Sequence, residues 1–234
     1  MTVRLCQTMG NDPRPAATDP WEQLRTRVRL GLVGQPLPLI RVADRACPAS
    51  SLYAGGRALA VELERERVRL GTCVAVTTGD PLELAVALLA AVRLGASLLV
   101  AGRTSTGHHA CRTHTSAVTE IASGDGLMPF VCTPRSEDAQ RTQAIDLASR
   151  HHQQPGECWN DPTTMLVAAD AFIARHRLTG GMRVVAAFVH ERPDRTLTLL
   201  LPALLASVEL VAAPNHQLDE VAAVERPDLI LRDL

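Results

Sequence analysis

Two stretches of this sequence run through the same order of predicted elements: an amphipathic helix, a glycine stop, an apolar strand, a polar turn, a buried helix and a second strand. In the first stretch these elements are residues 52–70, 73–78, 82–94 and 97–102. In the second stretch they are residues 162–178, 182–189, 196–207 and 208–213. Apolar strands that alternate with helices predict an α/β fold, with a mainly parallel sheet layered between helices and two pseudo-repeated units.

Glycine, proline and capping residues set the predicted ends of these helices. Gly71 and Gly95 are expected to end the two helices of the first unit, because glycine readily adopts the left-handed conformation that ends many helices. Asp161 is the expected N-cap of the first helix in the second unit, with Pro162 at its first position. Pro202 should kink the last helix or move its start to a later residue, since proline removes a backbone hydrogen bond.

Composition predicts an aliphatic core, because 46% of the residues are apolar and only 3% are aromatic. In helix 52–70 the core face is predicted to consist of Leu59, Leu63 and Val68, with glutamate–arginine pairs facing solvent. Residues 1–20 contain several prolines and no apolar periodicity. They are therefore predicted to be a flexible arm, ahead of a single domain that spans residues 21–234.

The charge balance excludes two classes of partner. The formal net charge is −1 and the pI is about 6.7, so the chain is not expected to bind nucleic acid or an acidic membrane surface. No apolar run reaches the ~18 residues of a membrane-spanning helix, and no secretory signal is present, so a cytoplasmic location is expected. The six cysteines form no CxxC pair and are expected to be free thiols.

The densest group of metal-ligand residue types is His108, His109, Cys111 and His114. Imidazole and thiolate groups bind zinc, which makes these four residues the candidates for a metal site. Their spacing is tighter than that of zinc fingers, and no second pair follows at a distance. The favoured interpretation is a solvated polar loop that holds no metal.

The chain contains no lysine, and all 24 residues counted as Lys or Arg are arginines. Arginine keeps its proton in proteins, so it cannot replace lysine as a Schiff-base former or as a base. Any mechanism that requires a lysine is therefore excluded for this chain by itself.

Segments in both units resemble the N-terminal half of the large domain of the ANL superfamily of adenylate-forming enzymes, which includes acyl-CoA synthetases and peptide-synthetase adenylation domains. Residues 51–102 are similar to the family's sequence of "L-T-Y", "G-V-x-x-G-D-x-V", an apolar helix and "K-A-G-A". Residues 178–214 are similar to the family's "P-L-x-H" region and the "G-A" strand that follows it, and residues 223–234 to its "I-E-x-x-x-P-T-x-L". The resemblance implies the α/β fold of that half-domain.

The resemblance also locates a phosphate-binding loop, "T-S-G-T-T-G-x-P-K-G" in the family, on residues 148–157. Backbone N–H groups approach phosphate only where side chains are absent, and a cation must balance the charge. Ser149 and Pro155 match, but the glycines and the lysine do not. The candidates for contact with a nucleotide are Ser149, Arg150, His151 and His152. The favoured alternative is a helix over residues 136–152, whose acidic start and basic end suit the helix dipole.

Together these features predict a truncated, non-catalytic relative of adenylate-forming enzymes, with no catalytic residue and no cofactor, that works as a binding or scaffolding protein. The alternative is one half of a split ligase that another chain completes. A small carboxylate is the expected ligand class by family analogy. Because truncation would leave the apolar segment 199–206 uncovered, a homodimer or a hetero-complex is also expected.

Overall fold

The strands of the protein divide between two five-stranded sheets. The structure is a computed structural model that describes residues 19–33, 38–76, 79–100, 118–122, 130–132, 158–159, 161–188 and 193–232. Its helices are α1 (Pro20–Leu32), α2 (Ala49–Arg65), α3 (Pro81–Leu94), α4 (Pro162–His176), α5 (Pro193–Ala206) and α6 (Leu218–Glu225). Its strands are β1 (Pro38–Val42), β2 (Arg45–Pro48), β3 (Cys73–Val76), β4 (Ser97–Val100), β5 (Val118–Ala122), β6 (Phe130–Cys132), β7 (Cys158–Trp159), β8 (Arg183–Phe188), β9 (Glu209–Pro214) and β10 (Leu229–Leu231).

Each sheet has a parallel centre that contains the two strands of one repeated unit. The first sheet has the order β6-β5-β3-β4-β7, in which β5, β3 and β4 are parallel and both edge strands are antiparallel. The second has the order β10-β8-β9-β1-β2, parallel except for the hairpin of β1 and β2. The predicted α/β class with mainly parallel pairing is confirmed, and its strands form two sheets rather than one continuous sheet.

The two units repeat one another down to individual hydrogen bonds. In the first unit the Gly71 N–H donates to the Gly95 carbonyl at 3.1 Å, and in the second the Gly181 N–H donates to the Ser207 carbonyl at 3.0 Å. Both Gly71 (φ 81°) and Gly181 (φ 83°) have the positive φ that favours glycine. The repeat read from the sequence is therefore a repeat of backbone geometry, including the turn that leads each unit into its first strand.

The first helix of each unit ends earlier than predicted, and an arginine rather than a glycine ends it. Arg67 (φ 64°) and Arg177 (φ 52°) adopt the left-handed conformation directly after α2 and α4. The Val68 N–H then donates to the Leu63 carbonyl at 2.9 Å, as in a Schellman motif, with two apolar residues in the C″ and C3 positions. Burial of that apolar C″ residue selects the helix end, so Gly71 lies in the following turn and does not end α2.

Other predicted ends hold as expected. Gly95 (φ 67°) ends α3, and the Asp161 carboxylate accepts the N–H groups of Thr163 and Thr164 at the start of α4. Helix α5 begins at Pro193 and continues through Pro202, so the proline does not delay its start. The core residues Leu59, Leu63 and Val68 are all buried.

Helix α1 is an element that the sequence analysis did not predict. It begins at the end of the segment predicted to be a flexible arm, where Asp19 accepts the Trp21 N–H and Pro20 occupies the first turn. A Cβ atom on Gly31 would lie 1.9 Å from the Leu204 carbonyl oxygen of α5, so glycine is what permits the close contact of the two helices. Residues 1–18 lie outside the described residues.

The apolar segment 199–206, expected to be uncovered, is buried. Leu200, Leu201 and Leu204 are each 0% exposed, because α1, α3 and α4 all pack against α5. The prediction that this face is uncovered was wrong because it did not include α1. On the other face of the second sheet, Leu218 and Ala222 of α6 pack on a smaller apolar cluster of β8 and β9. Of the helices in the described part, none is long and apolar enough to span a bilayer.

Replacing Arg27 of α1 with glutamine is expected to lower the free energy of unfolding by about 0.5 kcal/mol, the scale of an exposed ion pair. Its guanidinium donates to both carboxylate oxygens of Asp170 of α4, at 2.8 and 2.6 Å. These hydrogen bonds lower the pKa of Asp170. A lowered folded-state pKa contributes stability that is complete above the ordinary aspartate value of about 3.9 and is lost as the pH falls through the lower, folded-state value.

Urea unfolding at a series of pH values from neutral to below the ordinary aspartate pKa measures the effect. Arg175→Gln is the control, because Arg175 is an exposed arginine of α4. The difference in the free energy of unfolding between wild type and Arg27→Gln should become smaller as the pH falls through the folded-state pKa of Asp170. A difference that stays constant with pH would contradict the assigned role of Asp170.

Candidate functional site

Both groups of site residues predicted from the sequence lie outside the described residues. Ser149, Arg150, His151 and His152 fall in residues 133–157, and the metal candidates His108, His109, Cys111 and His114 fall in residues 101–117. The predicted helix over 136–152 lies there too. Both groups stay predictions. Within the part of the chain that the structure describes, no cluster of three or more His, Cys, Asp or Glu side chains is placed to hold a metal ion.

A cleft of about 170 Å³ opens between α1, α2 and α3, and it is the candidate site among the described residues. We refer to it as the arginine cleft, because all three helices contribute arginines to it. Helix α1 provides Arg25 and Arg29, α2 provides Arg57, and α3 provides Arg93. Four arginines and one glutamate, Glu22, therefore line one small volume.

Only one of these arginines has a carboxylate partner. Arg25 pairs with Glu22 at 2.9 Å and with Asp19 at 3.3 Å, and all three residues belong to α1 or its N-cap. Among residues 19–33, 38–76, 79–100 and the other described ranges, no ion pair or hydrogen bond joins the guanidinium of Arg29, Arg57 or Arg93 to a protein group. The cleft consequently has an excess of positive charge.

The floor of the arginine cleft is apolar and rigid. Gly56 of α2 lies against Leu89 of α3, where a Cβ atom would be 2.6 Å from the Leu89 Cβ. The absence of a side chain at Gly56 lets the two helices pack closely, and Leu89 and Val92 form the floor together with it. Tyr53, 43% exposed, stands at the side of the cleft. The Gly55-Gly56 pair thus serves helix packing, in agreement with the absence of a dinucleotide-binding motif around it.

The arginine cleft was missed from the sequence because α1 was missed. The signals were present: Asp19 followed by Pro20 is a helix start, and Glu22, Arg25 and Arg29 follow at helical spacing. Those signals place arginines on one side of a helix, but they do not indicate which other helix faces that side.

A second cavity, of about 290 Å³, lies between α6 and the ends of β1 and β9. An ionic network closes one side of it. Glu209, only 5% exposed, accepts from Arg183 at 2.9 Å and lies 3.6 Å from Arg41, while Arg41 donates to Glu225 of α6 at 2.7 Å. Because its charged groups are paired with one another, this network fastens α6 to the sheet and does not present unpaired charge to a ligand.

Cys47, on β2, is the cysteine whose side chain the structure describes. It is 2% exposed and forms no disulfide, which agrees with the expectation of free thiols. Burial raises the pKa of the Cys47 thiol. A neutral, buried thiol is a poor nucleophile, so the arrangement gives it a packing role.

Comparison with known proteins at the level of sequence finds no relative. No protein-family model matches the chain, and no curated protein is significantly similar to it. The comparison with known proteins therefore rests on the fold.

Solved structures do match. They include the amide bond synthetase McbA from Marinactinospora thermotolerans (TM-score 0.60, 15% identity, 90% of this chain and 48% of that chain), a Mycobacterium tuberculosis fatty acyl CoA synthetase (0.61, 14%, 88% and 48%) and the N-terminal domain of FACL13 from Mycobacterium tuberculosis (0.61, 14%, 88% and 62%). The chain spans roughly half to three fifths of the length of these structures. At such identities the likeness concerns the fold alone, and the chain has the fold of the N-terminal part of the adenylate-forming enzymes that its sequence resembles.

Proposed function

We propose that this chain is a non-catalytic protein with the adenylate-forming fold, which binds a ligand or a partner and does not activate a substrate with ATP. The observation that carries the proposal is the complete absence of lysine from its 234 residues. According to the resemblance described above, the family's phosphate loop uses a lysine, and any other step that needs a lysine is excluded for this chain by itself as well. This chain has arginine alone for those tasks.

The chemistry of the two cations explains why this matters. Adenylate formation develops negative charge on the α-phosphate, and a positioned cation lowers the barrier to that step. The lysine ammonium is a compact point charge that reaches into a narrow site, whereas the guanidinium is a planar fork that needs room on two sides. Arg150, His151 and His152 also carry side chains at positions where the family's loop has glycine or small residues, and these side chains oppose close approach of phosphate to the backbone.

The test is carboxylate-dependent exchange of pyrophosphate into ATP, measured with the purified chain and a panel of fatty, aromatic and amino-acid carboxylates. We expect no exchange above the rate without protein, while an intact acyl-CoA synthetase in the same assay shows that the conditions permit the reaction. Exchange that depends on both the chain and a carboxylate would overturn the proposal.

The alternative is one half of an adenylate-forming ligase, completed by another polypeptide. The observation in its favour is that the chain spans only 48% to 62% of the structures with which it shares the fold. A neighbouring reading frame that encodes a C-terminal adenylation half would supply the partner. Exchange by the co-purified pair, but by neither chain alone, would favour this alternative.

Association with a second chain, as a homodimer or a hetero-complex, also stays a proposal. Its original basis, exposure of residues 199–206, is removed by the burial of that segment. Large apolar side chains are exposed elsewhere, among them Leu30, Val167 and Val224, but single exposed apolar residues are common on monomers. Light scattering over a range of protein concentrations measures the oligomeric state directly.

A further inference from the structure

We propose that the arginine cleft binds a small amphipathic anion, a carboxylate or a phosphate ester with a short apolar body. Arg29, Arg57 and Arg93 would hold the anionic group, and the apolar body would lie on the floor formed by Gly56, Leu89 and Val92. This inference deepens the proposed function by naming a ligand class and a place for it, and it does not depend on whether the chain can adenylate.

The charge of the arginine cleft points to an anion. Glu22 also lines the cleft and pairs with Arg25, and no carboxylate of the described residues pairs with Arg29, Arg57 or Arg93, so positive charge is in excess. Arg29 and Arg93 lie in the last turns of α1 and α3, where the helix dipole favours a cation. That explanation does not extend to Arg57, which lies in the middle of α2.

The second unit shows that the fold itself does not require these arginines. Counting from the equivalent turns of the two units, Val167 of α4 corresponds to Arg57 of α2, and Leu205 of α5 corresponds to Arg93 of α3. The same helix positions thus accept apolar residues in the second unit. Arginines at these two positions are specific to the first unit.

The shape of the arginine cleft limits the size of the ligand. Pockets for drug-sized molecules have volumes of roughly 300–1,000 Å³, and the arginine cleft has about 170 Å³. Apolar residues and arginines line it together, so a ligand with both an anionic group and a body of a few carbon atoms matches it better than an inorganic anion. Guanidinium groups suit both carboxylate and phosphate, because their paired N–H groups bind two oxygens of either.

Isothermal titration of the whole chain tests the proposal with three probes that share one apolar body: butyrate, butyl phosphate and 1-butanol. We expect saturable binding of at least one of the two anions, weakening as salt is added because the arginines are exposed. The alcohol should not bind. Tighter binding of butyl phosphate would assign a phosphate ester as the ligand class, and tighter binding of butyrate would assign a carboxylate.

Variants show whether binding occurs at the arginine cleft. The combined substitutions Arg29→Gln, Arg57→Gln and Arg93→Gln should weaken binding of the anion by at least about tenfold, since charge-assisted hydrogen bonds contribute this much or more. Arg175→Gln is the matched control, because Arg175 is an exposed arginine in the last turn of α4, as Arg93 is in α3. It should bind the anion as wild type does.

A second variant keeps the test decisive if the triple variant does not fold. Thr26→Phe fills the cleft from α1 while all of its arginines remain, so it should weaken binding by a similar factor if the cleft is the site. The proposal is overturned if neither anion binds saturably, or if both variants bind like wild type. Pyrophosphate exchange is measured separately, so a failure here is distinguishable from a failure of the proposed function.

Discussion

The substitution Gly31→Ala is expected to lower the free energy of unfolding by about 3 kcal/mol, at the upper end of what overpacking of a core costs. The new Cβ atom would lie 1.9 Å from the Leu204 carbonyl oxygen and 3.0 Å from its carbonyl carbon. Both are backbone atoms of a buried helix, so no side chain can rotate away to relieve the contact. Helices α1 and α5 would have to separate, which would also stretch the 2.7 Å hydrogen bond from the Ser207 hydroxyl to the Gly31 carbonyl.

Chemical unfolding monitored by circular dichroism measures the loss, and Gly180→Ala is the matched control. A Cβ atom on Gly180 would have its nearest neighbour, the Ala206 carbonyl oxygen, at 3.6 Å, which is an ordinary contact. The control should change the free energy of unfolding by no more than about 0.5 kcal/mol, like most surface substitutions. Equal stabilities of the two variants would mean that α1 does not pack on α5 as closely as the structure has it.

The substitution Arg183→Leu is expected to destabilise the protein by about 2–3 kcal/mol, because removing one member of a buried ion pair leaves its partner without compensation. Arg183 and Glu209 are register partners on the neighbouring strands β8 and β9. Without Arg183, the cation left to the buried Glu209 carboxylate among the described residues would be Arg41, at 3.6 Å. The variant would also lose the hydrogen bond from the Arg183 side chain to the Glu225 carbonyl, 3.0 Å long, at the end of α6.

A double-mutant cycle measures the interaction energy of Arg183 and Glu209. The combined variant Arg183→Leu, Glu209→Leu should be more stable than Arg183→Leu alone, since a buried pair can often be replaced by apolar residues at little cost. Arg65→Leu is the surface control: its ion pair with Glu62 is largely exposed, and its loss should cost less than about 1 kcal/mol. A double variant that is less stable than Arg183→Leu would contradict the conclusion that Glu209 is left as an uncompensated charge in that single variant.

Much of the fold could be predicted from the sequence, because it depends on interactions between residues that are close to each other in the chain. The alternation of apolar strands with helices, the Asp161 cap and the Gly95 stop depend on residues within a few positions of each other, and all three were confirmed. The end of α2 was predicted wrongly for an equally physical reason. Arg67 adopts the left-handed conformation there because the next residue, Val68, is buried, and the benefit of burying Val68 outweighs the cost of a non-glycine residue at that position.

The candidate site could not be predicted from the sequence in the same way. The arginine cleft requires that α1 return to pack beside α2 and α3, and the arginines that line it are separated by up to 68 positions, from Arg25 to Arg93. Nothing in the spacing of residues along one helix states which helix will face it. The residues that the sequence did single out, from His108 to His114 and from Ser149 to His152, lie outside the described residues and remain predictions.

The sequence by itself determined that this is an α/β chain made of two related units, and that it contains arginine as its cation in place of lysine. These properties follow from residue type and from periods of two to four residues, which short-range sterics and hydrogen bonding translate into structure. Tertiary structure alone decided that the strands form two sheets, that α1 covers α5, and that three arginines without carboxylate partners among the described residues border one cleft. Those outcomes depend on which surfaces bury one another, and that is settled by shape and volume over the whole molecule.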